Sequence, residues 1–327
     1  MKLEYYLAAA VFAPLLMLAE RLIARRVGRR GASLGHAMNS ISHYMAELAL
    51  TVTLNLNVFA AYAWLEGRIG LFPIPKSPAS AIAAFLAIDF VYYVGHRTCH
   101  ALRPLWGLHA VHHQSREMNL ASGLRGPWLS ALQIAPFLLP LAVLGLPPEV
   151  MFGAYAIQTV YKLVIHTELF DSLGPLDAMF VSPAAHRVHH ARDAVLGSKN
   201  FGGVLSIWDR MFGTWAPAEH ATLDLPLGLP GDEPSLNPLA NNLAGFGIDF
   251  GGAPSRRVTT SQASTMVAFV VGFALTLVFA FTAASLPVAL RFVGCAAVIA
   301  LVTVLGRSFP RAGHGPRPAP TAGSETA

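Results

Sequence analysis

Eight histidines fall in three short clusters: His96 and His100 in HRTCH, His109, His112 and His113 in HAVHH, and His186, His189 and His190 in HRVHH. On a helix, HxxxH places two imidazoles one turn apart on one face, and HxxHH places three on a slightly wider face. Neutral imidazole is the commonest protein ligand for mid-row transition metals, so stacked histidines at these spacings read as a metal cradle. His166 stands alone in IHTEL at the end of an apolar run, at a depth that matches the clusters, and is read as a ninth ligand. Nine imidazoles are too many for one tetrahedral ion and suit two metals sharing a histidine-rich shell. Two irons facing a lipid-accessible cavity would suit O2 activation and attack on an unactivated C–H bond, with the protein supplying placement and exclusion of water.

Three acids are candidates for supporting roles. Asp89 precedes His96 by seven residues, two helical turns, and so faces the same way. It could accept the free ring N–H of a ligand histidine, or be a buried acid paired with a Tyr or Arg. Asp193, three residues after His190, has the same two readings, and Glu168 reads as a proton carrier or an interfacial acid. A polar stripe of Asn39, His43, Glu47, Thr51 and Asn55, each four residues apart, must face a bundle interior, where interhelical hydrogen bonding is the simpler role. His36, His220 and His314 match no pattern and read as surface groups.

The elements that position these residues are membrane segments. The chain is 54% hydrophobic and 13% charged, where soluble domains carry about 25% charged residues. Apolar runs fall at about 3–20, 40–65, 79–95, 265–284 and 286–306, and a pair at about 128–147 and 150–166, split by Pro147 and Pro148, reads as a helical hairpin. Residues 3–20 lack a basic leader and a cleavage site, and Arg21, Arg25, Arg26, Arg29 and Arg30 follow them, which predicts a first span ending in the cytoplasm. Counting onward gathers all nine histidines on that same face. The basic residues lie in short loops, so they read as topology signals and not as a nucleic-acid surface. Cys99 and Cys295 form no paired framework, which excludes a disulfide-built fold. The expected organisation is N-terminal spans over 1–78, a histidine-bearing catalytic region over 79–217, an irregular linker over 218–263, two spans over 264–306 and a disordered tail over 307–327.

DFVYYVGHRTCH, HAVHHQS and SPAAHRVHHARD, followed by KNFGGVLSIWDRMFGT, resemble the fatty acid hydroxylase/sterol desaturase superfamily of integral-membrane di-iron oxygenases over about residues 85–217. MNLASGLR and IHTELFDSLGPL are most similar to its alkylglycerol monooxygenase branch and bacterial relatives. The resemblance implies that the eight clustered histidines and His166 ligate iron. It also implies that Asn200, Trp208, Asp209 and Arg210 close a structural element beside the site. This chain has Arg125, Gly126 and Pro127 where many members carry a histidine-proline pair, and Ser198 where an aspartate usually precedes Lys-Asn; neither removes a ligand.

The expectation is an all-α polytopic membrane bundle of about seven segments with a cytosolic histidine-rich di-iron cap. It would hydroxylate a lipid with O2; desaturation begins with the same hydrogen abstraction. Electrons would come from a separate partner, since no haem, flavin or nicotinamide motif is present. Tetrahydrobiopterin serves the alkylglycerol branch, but no feature here marks a pterin site. Abundant Ala and Arg with short loops lean toward a bacterial inner membrane. A membrane metal-binding protein or transporter would instead spread its ligands through the bilayer.

Overall fold

The computed structural model describes residues 3–29, 31–54, 58–231, 235–248 and 261–309. Among them there is no strand, only isolated antiparallel bridges joining Phe180 to Leu205 and Ala191 to Leu227. The fold is all-α. Among the described residues three helices are long and apolar enough to cross a membrane: α4 (Pro78–Ala101), α12 (Gln262–Thr282, continued by a 3-10 turn to Ser285) and α13 (Val288–Gly306). The run at 40–65 becomes two helices, α2 (Leu34–Thr53) and α3 (Val58–Ile69), bent by 44° and passing the same test only as a pair. The run at 3–20 falls on α1 (Leu3–Arg26), much of whose side-chain structure lies outside the described residues. Arg30, Asn55, parts of the expected linker (232–234 and 249–260) and the tail from residue 310, with His314, also lie outside them.

The two largest apolar clusters among the described residues hold the bundle. Met45, Ala46 and Ala49 of α2 pack on Phe269 of α12 and Val298 and Val302 of α13. Tyr62 of α3, Ile88 of α4, Leu138 and Leu141 of α7 (Ser130–Val143) and Met151 of α8 (Pro148–Val164) form the other. The outward faces of α12 and α13 stay apolar and exposed, with Val267, Leu275, Phe281, Val293 and Val304 each more than half accessible, as lipid-facing surfaces require.

The expected hairpin forms as α7 and α8, but with 14 and 17 residues they reach only about 21 and 26 Å. What matters for the site is where α8 begins. Lys76, just before α4, pairs at 3.0 Å with Glu149 in the first turn of α8, and both side chains are exposed. Both helices therefore start at one polar level. Ser77 and Ser80 make a reciprocal capping box there, with Pro78 at the first helical position. His96 lies 18 residues beyond Pro78 and His166 lies 18 beyond Pro148, each about 27 Å along. Equal path lengths from a shared level bring a lone histidine to the clusters.

The turn between α7 and α8 admits only glycine at one point. Gly145 has φ +84°, and a Cβ there would lie 2.0 Å from the Phe72 carbonyl oxygen. Gly145→Ala should destabilise the hairpin by about 1–3 kcal/mol, through left-handed strain and the clash together. A thermal melt of the variant in detergent that overlays the parent would contradict this.

Candidate metal centre

Box one ends α4, box two ends α5 (Arg103–His113), and box three lies on and just after α9 (Pro183–His189). Ser182 caps α9 through its Oγ, and Pro183 opens it. Together with His166 these elements form two groups. His96, His100, His109, His113 and His189 make one, and His112, His166, His186 and His190 the other; within each, one nitrogen from every ring lies within 4.8 Å of the rest.

Helical geometry explains the division. Successive residues turn by about 100°, so i and i+4 differ by about 40°, whereas i+3 lies about 60° to the other side. His96 with His100, and His109 with His113, stay together as i, i+4 pairs, and so do His186 and His190. The i+3 members, His112 and His189, each cross to the opposite group. Each HxxHH motif thus serves both groups. The groups adjoin, with the His113 and His190 rings stacked at 4.5 Å.

The nitrogens fit metals better than one another. His109 Nε2 lies 3.0 Å from Nε2 of both His96 and His113. In the other group Nε2 of His166 is 3.2 Å from that of His112 and 3.1 Å from that of His186. Neutral imidazole has one donor and one acceptor, so three mutually facing Nε2 atoms cannot all be satisfied by hydrogen bonds. Ligands about 2.1 Å from one ion, at angles between a right angle and the tetrahedral angle, sit about 3.0–3.4 Å apart, close to the observed spacing. His100 Nε2 and His189 Nε2 are buried without any protein partner. Orphaned, converging nitrogens are what metal ions would satisfy.

Four outward nitrogens are held by the main chain. His96 Nδ1 is 2.9 Å from the Phe201 carbonyl, His189 Nδ1 2.8 Å from that of Lys199, His112 Nδ1 3.1 Å from that of Arg125 and His166 Nδ1 2.6 Å from that of Lys162. A proton donated there fixes the tautomer and leaves Nε2 free to ligate. The Gln133 side-chain amide lies 3.0 Å from His109 Nδ1. These partners carry no signal in a sequence pattern, because four of the five are backbone oxygens.

Asp89 does not orient a ring. Its carboxylate accepts from the Val204 and Leu205 amides at 2.9 and 3.0 Å and from Trp208 Nε1 at 2.9 Å. The shared helix face is right, but the group it meets is a loop more than one hundred residues later. Asp193 accepts from the Val195 and Leu196 amides, closing an exposed turn. Glu168 Oε1 lies 3.8 Å from Arg187 Nε at the site's edge. None of the three falls in either histidine group.

The element around Asn200 does sit beside the site. Asn200, at φ +55°, is the one non-glycine residue with positive φ among those described. Its side chain donates to the Ala185 and Ala216 carbonyls and accepts from the Ala216 amide. Asp209 accepts from the Phe201 and Gly202 amides and the Thr214 hydroxyl. Together they set the carbonyls of Lys199 and Phe201 against His189 and His96. Arg125 is also fully buried, donating to the Val111 carbonyl, Asn39 Oδ1 and Gln114 Oε1 while its own carbonyl meets His112. Three members of the polar stripe make contacts outside their own helix: Asn39 and His43 contact Leu236, Asn241 and Asn242, and Glu47 accepts from Ser130. Leu236, Asn241 and Asn242 flank or lie in α11 (Pro238–Ala244), a helix within the segment expected to be irregular. Glu20, a residue that no motif marks, joins Thr167 and Leu120.

Burial drives the ring pKa values down. His112 falls to about 4 and His166 to about 3, both chiefly through desolvation. His109, His113, His186, His189 and His190 are lowered well below the ordinary value, by burial first and then by neighbouring histidines. The rings are neutral at pH 7, as ligation requires.

Two outcomes follow. Unfolded histidines protonate near pH 6.5, while the folded rings resist until about 4 and 3, so below 6.5 the unfolded state binds more protons. The metal-free protein should lose stability steadily from pH 6.5 down to 4; a melting temperature flat over that range would contradict it. A Cβ on Gly123 would lie 2.8 Å from Leu163 and 3.2 Å from the His166 ring. Gly123→Ala should therefore weaken cobalt binding at the four-histidine group about tenfold or more, in line with other disturbances beside metal ligands. Parent-like cobalt titration would count against that placement.

Residues 81–214 match the model of the fatty acid hydroxylase family. The chain is 35% identical to human alkylglycerol monooxygenase over 214 residues, covering 65% of this chain and 48% of that protein. The zebrafish (Danio rerio) alkylglycerol monooxygenase is 45% identical over 159 residues, 48% of this chain and 35% of its own. Ornithine lipid hydroxylase OlsE of Rhizobium tropici is 32% identical over 135 residues, 41% of each chain. The chain spans about half the length, or less, of these relatives. No solved structure matches it. The histidine groups thus lie within the region, residues 81–214, that is similar to the fatty acid hydroxylase family.

Proposed function

We propose that this protein is a membrane-bound di-iron oxygenase that hydroxylates a C–H bond of a lipid, using O2 and electrons from a separate partner. The observation that carries the reading is the division of nine histidines into adjoining groups of five and four, without a thiolate or carboxylate in either. Five donors exceed a closed tetrahedral zinc site, and an all-imidazole set suits iron among the redox metals. When bound, two irons supply reductive activation of O2 and oxidation of a C–H bond.

The protein's own groups do the rest. The carbonyls of Phe201, Lys199, Arg125 and Lys162 hold the Nδ1 protons of His96, His189, His112 and His166, so the Nε2 lone pairs point inward. Most of the rings are nearly inaccessible, which excludes bulk water from a centre that would otherwise lose oxidising equivalents. Asp89 and Asp193 are committed to main-chain amides, and Glu168 lies beside Arg187. The proposed chemistry therefore rests on the histidines. Relatives named for alkylglycerols and for ornithine lipid support a lipid substrate, fatty acyl, sterol, ether-linked or headgroup. Tetrahydrobiopterin is one reductant to supply. An inner bacterial membrane with the site facing the cytoplasm is the proposed location.

Expressing cells grown under 18O2 should accumulate a lipid carrying one 18O atom, and cells expressing His189→Ala should not. Loss of two hydrogens without 18O would assign desaturation instead. No lipid change with either pterin or protein reductants, in protein shown to hold iron, would overturn the oxygenase reading.

A further inference from the structure

The cap is drawn against helix α4, which is long and apolar enough to cross a membrane. From the polar level marked by Lys76 and Glu149, Asp89 lies 11 residues beyond Pro78, about 17 Å along the axis. A hydrocarbon layer of about 30 Å would extend well past that point. At this depth Asp89 is wholly buried and accepts from the Val204 and Leu205 amides and the Trp208 indole. A carboxylate set in an apolar span to satisfy two loop amides is the arrangement needed where no water can do so.

The outer surface of the same segment is apolar and continuous with the span. Phe90 of α4 packs against Trp208 at 5.0 Å and Phe212 at 6.1 Å. Around them Ile207 is 43% exposed, Phe212 47%, Met211 63% and Met179 57%. Met179 belongs to this surface because its carbonyl accepts from the Ser206 amide at 2.9 Å. Arg97 and Arg210 stand exposed beside it, donating to the Tyr93 hydroxyl and to the Asp177 carbonyl, and α10 (Ile207–Met211) carries the second of them. Arginines bordering an apolar face fit the headgroup phosphates above a lipid-facing surface.

We propose that the apolar face formed by the segment 204–212 and the adjoining turn lies below the headgroup level, with Met179, Ile207, Met211 and Phe212 in contact with lipid and Arg210 reaching up to the phosphates, so the catalytic cap is partly immersed. The occupant of this surface is the glycerol and acyl layer of one leaflet. Immersion places the Lys199–Phe201 carbonyls, and the histidines they hold, beside the bilayer's own molecules. The inference rests on the membrane placement of α4 and not on the reaction, so a failure of the oxygenase reading leaves it standing.

The test places an environment-sensitive NBD fluorophore on the full-length protein in phosphatidylcholine/phosphatidylglycerol vesicles. Single cysteines would be introduced as Met179→Cys and Met211→Cys, with Val278→Cys on the outer face of α12 and Glu219→Cys on the cap as references. Cys99 and Cys295 are buried, and label on the parent gives the background. Labels at 179 and 211 should be quenched by nitroxide-bearing lipid and spared by aqueous iodide, as at 278. Iodide quenching at either position equal to that at 219 would overturn the proposal. All substitutions are on exposed side chains, and a parent-like melting temperature for each variant verifies that the comparison is between folded proteins.

Discussion

Nine imidazoles packed nitrogen to nitrogen, without a carboxylate or thiolate among them, are the constraint on which the rest depends. Such a cluster is unfavourable by itself: its lone pairs face one another, and burial forbids the protonation that would relieve them. It holds together because the surrounding backbone is rigid and because cations could satisfy the inward nitrogens. The rigidity has identifiable sources. Two helices leave a common polar level and run the same distance to His96 and His166. A loop pinned by Asn200 and Asp209 presents carbonyls to His189 and His96, and buried Arg125 fastens box two to α2.

The buried acids belong to the scaffold. Asp89 and Asp209 each receive two main-chain amides and one side-chain donor, which converts the loop between boxes and bundle into a fixed wall. Negative charge is thereby kept off the histidines, leaving an all-nitrogen centre. The same Asp89 contacts draw the cap onto the flank of α4, so the anchoring that shapes the site also brings it to lipid.

The histidine spacings point to rings converging on a shared face, and the structure brings those rings into two groups that could hold metal. The division of each HxxHH between two groups is implicit in the 100° helical step, yet it becomes visible only when a second helix faces the first. Asp89 shows the limit of face arguments: its register with His96 is correct, but its partners come from a loop at Val204 and Leu205 that periodicity does not place. The carbonyl partners of the rings carry no sequence signal at all. Span counting is less legible, since α7 has only 14 residues and the run at 40–65 is bent, passing the length-and-composition test only as a pair.

The central claim is that the two histidine groups hold two separate irons. Mössbauer spectroscopy of protein loaded with 57Fe, with iron counted per chain, tests it most directly. The account predicts about two irons in nitrogen-rich environments, falling toward one when His186 of the four-histidine group is replaced by alanine. A single iron per chain in the parent, or two retained unchanged in that variant, would contradict it.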